Sequence, residues 1–466
     1  MAAVNDSPSP AAGHSGDESS GSDPSGETPK TATGRAVWET YALLTGDEDA
    51  RVCKDIPEAA CRAQPKNYVI HLVTNTLTKI GDELASARIV LAWLLGALGA
   101  PAAFAGFLVP IRESGSLLPQ LLIAAQIRAR EIRKGFWILG AFGQGAAVAG
   151  MAVVALTLEG TAAGFAILAL LVVFSLSRGV SSVAAKDVLG KTVAKTQRGG
   201  VMGYAAAAAG VVTLGVGVFF FLYDPSNGGI AVFAALLAIA AGLWFLAGTL
   251  FWRLEEQPGA TEGGANALAE ALAQLRLLRD DRPFAHFVLT RALLMSTALA
   301  LPYYVLLAEE VSSGDFVTLG LLIIATGLAQ SLSSPFWGRF SDRSSRIVLM
   351  LSGALATLVG AVTVALVWTL GVDALAGWVF AVLFFVLGVA HAGVRLGRKT
   401  YLVDLGDETN RAAYTAVSNS VIGVLLLVGG FFGLVAQLAG TEVAILALAV
   451  LSGAGVVSAA RMQEAE

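Results

Sequence analysis

The chain has 466 residues, of which 55% are hydrophobic and only 14% charged, with a net charge of −4 at neutral pH. An ordinary soluble domain carries about a quarter charged residues, so this chain cannot clothe a water-facing surface of its size, and lipid must cover most of the fold. The acidic balance offers no bulk attraction for nucleic acid. The sequence also holds no phosphate-cradling G-x-x-x-x-G-K-[ST] loop and no metal-ligand spacing, which argues against a primary pump, a cofactor or an enzyme.

Residues 1–35 are rich in Ser, Pro, Gly, Asp and Ala and predict a disordered tail. They lack the apolar run of a signal peptide. Residues 36–66 mix Trp38, Tyr41 and Leu43 with charges and predict an amphipathic segment at the cytoplasmic face. There the two cysteines, Cys53 and Cys61, are expected to be reduced thiols.

From residue 67 long apolar stretches begin. The first half, 67–252, predicts spans at 68–92, 102–125, 135–158, 162–184, 201–223 and 229–252. The second half, 284–466, predicts spans at 284–307, 316–337, 347–370, 374–394, 413–438 and 443–460. Each is near the roughly 20 residues needed to cross hydrocarbon. Gly99, Ala100 and Pro101 form the turn between the first two spans. The connection 253–283 opens as a Gly-rich linker. Leu268, Leu272, Leu275 and Leu278 then share a face, which predicts a helix lying on the membrane surface.

Charge orients the bundle. Connections on one side carry Arg128, Arg130, Arg133 and Lys134, then Lys186, Lys191, Lys195 and Arg198, then Arg339, Arg343 and Arg346, then Arg398, Lys399 and Arg411. The other side carries Glu159, Asp224, Glu309, Glu310, Asp315, Asp373 and Glu442 and no base. The basic side is the cytoplasmic one by the positive-inside rule, and both termini lie there. The halves also repeat: Lys186, Arg198 and Gly210 fall on Lys399, Arg411 and Gly423 at a constant offset. Six spans twice over is a known way to build a carrier with its site between the halves.

The stretch from Gly338 to Arg346, with Asp342 and Arg343 inside it, resembles the G-x-x-x-D-R-x-G-R loop of the major facilitator superfamily. Ser345 replaces the family's second glycine. The first copy, 125–134, keeps the bases but lacks the Gly and the Asp. Asp404 followed by Arg411 resembles another pattern of the same family. The resemblance implies an all-α membrane protein of twelve transmembrane helices, built as two six-helix repeats. It also implies a gating role for Gly338, Asp342, Arg343, Arg346, Asp404 and Arg411. In that geometry Asp342 meets the start of the fifth helix near residues 199–203, and Arg343 and Arg346 meet Asp404 or Asp407.

Ionisable residues inside the spans are costly and need a reason. Lys79, Asp82 and Glu83 lie in the first predicted span and Arg112 and Glu113 in the second, near the same depth. Lys79 and Asp82 share a face, whereas Arg112 and Glu113 point about 100° apart. This cluster is the expected site of substrate or proton coupling, with Lys79 facing Glu113 and Arg178 a further partner. In the second half, Arg291, His391, Arg395 and Asn419 lie near the inner face, with His391 and Arg395 as candidate gate residues. The expected function is secondary active transport of a small solute by alternating access, coupled to protons, by a monomer in a bacterial inner (plasma) membrane. The competing reading is a protein of the same fold that acts as a receptor or assembly factor without transporting.

Overall fold

The computed structural model describes residues 31–45, 56, 58–118, 126–127, 129–223, 229–259, 275–341, 343–406 and 411–464. A short helix, α1 (Ala32–Thr45), comes first. The first half of the bundle contains α2 (Glu58–Leu84), α3 (Val90–Ala97), α4 (Ala102–Leu117), α5 (Lys134–Thr157), α6 (Gly160–Thr192), α7 (Lys195–Tyr223) and α8 (Ile230–Phe251). A one-turn helix, α9 (Leu277–Asp280), leads into the second half. That half contains α10 (Arg282–Leu294), α11 (Ser296–Ser312), α12 (Phe316–Ser341), α13 (Ser345–Leu370), α14 (Gly377–Leu405), α15 (Arg411–Gly429), α16 (Phe432–Ala439) and α17 (Thr441–Ala460).

Ten of these segments are long and apolar enough to cross a membrane, with α10–α11 and α15–α16 each counting as one. The α2–α3 pair and α4 supply the remaining two of a twelve-helix bundle. Helix α2 carries charges of the predicted site and is too polar to meet the same measure, whereas α3 and α4, as described, are too short. Local chemistry sets several boundaries. Asp281 accepts from the Phe284 amide and caps α10, whose first turn holds Pro283. Ser344 accepts from the Ile347 amide and caps α13. Gly99 adopts φ +67° in the turn before Pro101, a conformation that glycine reaches without steric cost.

Four expectations need correction. Residues 32–35, predicted as tail, belong to α1; residues 1–30 lie outside the described residues. The first span is not one helix over 68–92. Helix α2 starts at Glu58, ends at Leu84 and is followed by a break before α3. The fourth and tenth helices run on through the expected loops, so Lys186, Lys191, Arg398 and Lys399 are helical. Bases near a helix C-terminus are favoured by its partial negative charge. Cys61 is disulfide-bonded rather than a free thiol. Of the predicted surface helix over 265–279, only α9 and its neighbours are described.

The two halves are joined unequally along the bundle axis. At the end opposite the 253–283 connection, one apolar cluster takes in Trp93, Leu108 and Trp244 from the first half and Tyr303, Leu319 and Leu448 from the second. Near the connection, each half closes its own core. The first uses Trp137, Val188 and Phe251, and the second uses Phe287, Leu349 and Tyr401. We call these the far end and the linker end.

Candidate functional site

The break in the first span positions the site. Residues 85–89, Ala-Ser-Ala-Arg-Ile, contain neither Gly nor Pro, so no helix breaker dictates it. The ladder widens there: the Leu91 amide donates to the Ser86 carbonyl at 2.9 Å, a five-residue turn. Such turns are rare and concentrate at functional sites. Ion pairs hold both flanks. Before the break, Asp82 accepts from Arg178 on α6 at 2.5 Å and from Arg112 on α4 at 3.0 Å. Within the break, Arg88 reaches Glu113 on α4 at 3.4 Å. Arg112 also lies 3.6 Å from Glu113 and sits over the Phe174 ring, 5.8 Å from its centroid.

Most of the predicted cluster is therefore brought together, in a different pairing. Asp82, Arg112 and Glu113 form one connected network. Arg178 joins through Asp82. The adjacent Arg112 and Glu113 still touch through their long side chains. Glu83 lies among Asp82, Arg112, Arg88 and Lys79 within electrostatic range, but it forms no ion pair among the described residues. The expected Lys79–Glu113 pair is not formed. Glu113 is taken by Arg88 and Arg112, and Lys79 stays within electrostatic range of Asp82 and Glu83. Arg88 is the member that the sequence reading missed. A continuous helix over 68–92 would carry it out toward the far end, and the break draws it back.

Across the interface, α14 brings Arg395 and Arg398 within electrostatic range of Glu113, and Arg395 within range of Glu83. His391 accepts or donates through Nδ1 to Thr297 Oγ1 at 3.2 Å, and its Nε2 is buried without a partner. Arg291 donates to Ser418 Oγ at 2.6 Å and to Asn419 Oδ1 at 2.9 Å. The halves touch directly at this depth where Ser114 Oγ donates to the Gly423 carbonyl at 2.7 Å.

Glycine lets the far end close above the site. A Cβ on Gly433 would fall 2.3 Å from the Ala103 carbonyl oxygen, and one on Gly106 would fall 2.5 Å from the Gly433 Cα. Beside them Phe107 packs edge-on against Phe431. Gly217 of α7 and Gly320 of α12 make a second contact of this kind between the halves.

The predicted gating residues divide. Asp342 lies outside the described residues, as does the side chain of Arg411. Arg343 is exposed. Arg346 meets neither of the predicted aspartates among the described residues. It donates to Glu464 at 3.1 Å and to the Met462 carbonyl at 3.1 Å, while Ser344 Oγ donates to the same carboxylate at 2.6 Å. Asp404 sits near the C-terminal end of α14, and Gly338 lies on α12 with open space at its Cα. In the first half, Glu256 fills the corresponding place. Its carboxylate accepts from the Arg133 and Lys134 amides at the start of α5, at 2.9 and 2.7 Å, and from Lys191 at 3.0 Å.

Residues 294–464 match the family model described as Major Facilitator Superfamily. No curated protein sequence matches the chain. Among solved structures, the chain is similar to a point mutant of the nucleoside transporter NupG, with TM-score 0.65 and 12% identity over 84% of this chain and 99% of that one. It is also similar to the xylose transporter XylE from E. coli in an inward-open conformation, with TM-score 0.60 and 11% identity over 85% and 96%. A POT family transporter in complex with a thioalcohol-conjugated peptide gives TM-score 0.62 and 12% identity over 87% and 98%. At these identities the likeness establishes the fold.

Proposed function

We propose that this chain, a membrane transporter of the major facilitator superfamily, is a secondary carrier that moves a small solute by alternating access and couples the movement to protons. The observation that carries this reading is the charged network at the break of the first span. It lies where the halves meet, and discontinuous helices at that depth are where carriers of this construction hold their ligands. A purely structural lock between the first two helices would not need Arg395 and Arg398 facing it from the other half.

The positive-inside rule makes the linker end cytoplasmic, with both termini there. A shared core at the far end and separate cores at the linker end then support an inward-facing state. In the opposite state the glycine contacts at Gly106 and Gly433 part and the linker ends approach. Gly338, Arg346, Asp404 and Arg411 lie in the linker-end turns of α12, α13, α14 and α15, and Arg343 lies between α12 and α13; with Asp342 they are the residues whose surroundings such a movement would rearrange. Within the network Glu113 and Glu83 are the proton-accepting candidates, with Lys79, Asp82 and Arg112 setting their surroundings. Protonating Glu113 would release Arg88 and bias one state by the difference in that pair's energy between states.

Uptake from a metabolite mixture into proteoliposomes, with and without an imposed pH gradient, tests the reading. Solute accumulation that follows the gradient in the wild type and loses that dependence in Glu113→Gln supports it. A folded, inserted protein that moves no solute in either direction favours a receptor or assembly role.

A further inference from the structure

We propose that the solute is a small anion carrying a carboxylate or phosphate, held between Arg395 and Arg398 on one half and the Arg88 region on the other. The proposal rests on the transporter reading and adds the substrate class to it. The charge inventory at the junction leads there. Asp82 and Glu113 are already engaged by three guanidiniums of their own half, Arg88, Arg112 and Arg178. What remains among the described residues is Lys79, Arg291, Arg395 and Arg398 against one carboxylate, Glu83. Lys79, Arg395 and Arg398 form no ion pair among the described residues. Each is only partly exposed, and the two arginines sit on a helix that spans the apolar bundle.

Cations in such a place need a counter-charge, and the described residues supply too few. Arg395 and Arg398 are three residues apart and so share a face of α14. Two planar guanidinium forks on one face suit the oxygens of a carboxylate or phosphate, each of which accepts paired N–H donors. Near them, on α10, the buried Arg291 keeps an unpartnered Nε, and its bonds to Ser418 and Asn419 bring it no negative charge. An anion arriving here also competes with Glu113 for Arg88. Binding at the second half would thereby loosen a contact of the first, which is the differential interaction an alternating carrier requires.

The test uses the full chain purified in an uncharged, lipid-free detergent, with unfolding followed by tryptophan fluorescence. The probes are succinate and glycerol 3-phosphate, each against an uncharged match, succinamide and glycerol. We expect at least one anion to raise the melting temperature and neither neutral match to do so. Arg395→Gln and Arg398→Gln should weaken the apparent affinity about tenfold to a hundredfold. The Lys variants should retain part of it, and Lys66→Gln, a base lost elsewhere, should retain all of it. The preferred probe separates carboxylate from phosphate recognition. Absence of stabilisation by both anions, equal stabilisation by the neutral matches, or full retention in the Arg395→Gln, Arg398→Gln double variant overturns the proposal. Counterflow in proteoliposomes separates the two readings. Anion stabilisation without anion movement sinks the carrier and keeps the anion site; movement of an uncharged solute without anion stabilisation does the reverse.

Discussion

The two halves repeat one another in helix order but differ in where they place and satisfy charge. In the first half the carboxylates are inside: Asp82 and Glu113 gather three arginines at a broken helix. In the second half the corresponding depth holds one arginine, Arg291, and one histidine, His391, with neutral partners, Ser418, Asn419 and Thr297. The latches at the linker end differ in the same sense. Glu256, with its side chain wholly buried, caps the start of α5; Glu464, half-exposed, reaches the start of α13 through Ser344 and Arg346. The first half thus locks Asp82 and Glu113 with its own arginines, and the second is left with Arg291, Arg395 and Arg398, which form no ion pair among the described residues. A repeat fixes the scaffold, and the division of labour lies in the charges laid over it.

The largest expected effect comes from breaking that lock. Asp82→Asn leaves Arg112 and Arg178 without their shared carboxylate. Removing one partner of a buried pair costs about 3–5 kcal/mol. The 18% exposure of the Asp82 side chain puts the loss toward the lower end. Thermal unfolding of the purified protein measures it, and adding Arg178→Gln should restore part of the stability. The counterpart, Arg291→Gln, should cost only about 1–2 kcal/mol, because its partners are neutral and become solvated or re-paired more cheaply. Equal losses in the two halves would erase the contrast.

Next comes Glu256→Gln. It removes a charge that accepts from two amides at a helix start and from Lys191. Hydrogen bonds to a charged group are each worth about 1.5–3 kcal/mol, and the helix dipole adds about 0.3–1 kcal/mol. The amide side chain keeps some of these contacts, so a net loss of about 2 kcal/mol is expected by chemical denaturation. Unchanged stability would mean that the segment after α8 is merely draped over the linker end.

Gly433→Leu acts on the state rather than the fold. Its side chain would meet the Ala103 carbonyl and the Gly106 backbone, where only backbone movement makes room. Overpacking costs about 1–3 kcal/mol, charged to the far-end-closed state alone. That shifts the two-state population about tenfold or more toward the far-end-open form. Spin-label distances across the far end, between α4 and α16, should lengthen. An unchanged distance distribution would show that the helices slide without opening.

Much of this was legible in the sequence, and the limits are physical. Hydropathy finds the later spans because their charges sit at the ends. It falters on the first because Lys79, Asp82 and Glu83 lower the apolar signal that marks a span. The cluster itself was legible, since charges at membrane depth are conspicuous. Its pairing was not, because the break at 85–89 has no glycine or proline to announce it and only the break places Arg88 beside Glu113. Arg398 was misread as a loop base because positive residues near a span's end ordinarily are. Only the unbroken run of α14 to Leu405 brings it into the bundle. Glu256 and Glu464 were missed because single glutamates just beyond a last helix carry no pattern.

The smallest expected effect is at Glu464. Its carboxylate accepts from Arg346 and Ser344, which resembles the Glu256 latch in position, after the last helix of a half and against the start of its third. The physics differs in degree. The Glu464 side chain is 52% exposed and that of Arg346 27%, so water competes for both and salt screens them. An exposed pair of this kind contributes about 0.2–1 kcal/mol. Arg346 also keeps its bond to the Met462 carbonyl when the carboxylate is gone, and Ser344 still caps α13. Glu464→Gln should therefore lower stability by less than about 1 kcal/mol. The loss should shrink further as ionic strength rises and the Debye length falls from about 10 Å at 0.1 M toward 3 Å at 1 M. Glu256→Gln, whose charge is hidden from solvent, should lose as much at high salt as at low. Parallel denaturation series at two ionic strengths read both variants side by side. A Glu464→Gln loss as large and as salt-insensitive as that of Glu256→Gln would make the two latches equivalent and the halves more alike than their exposure implies.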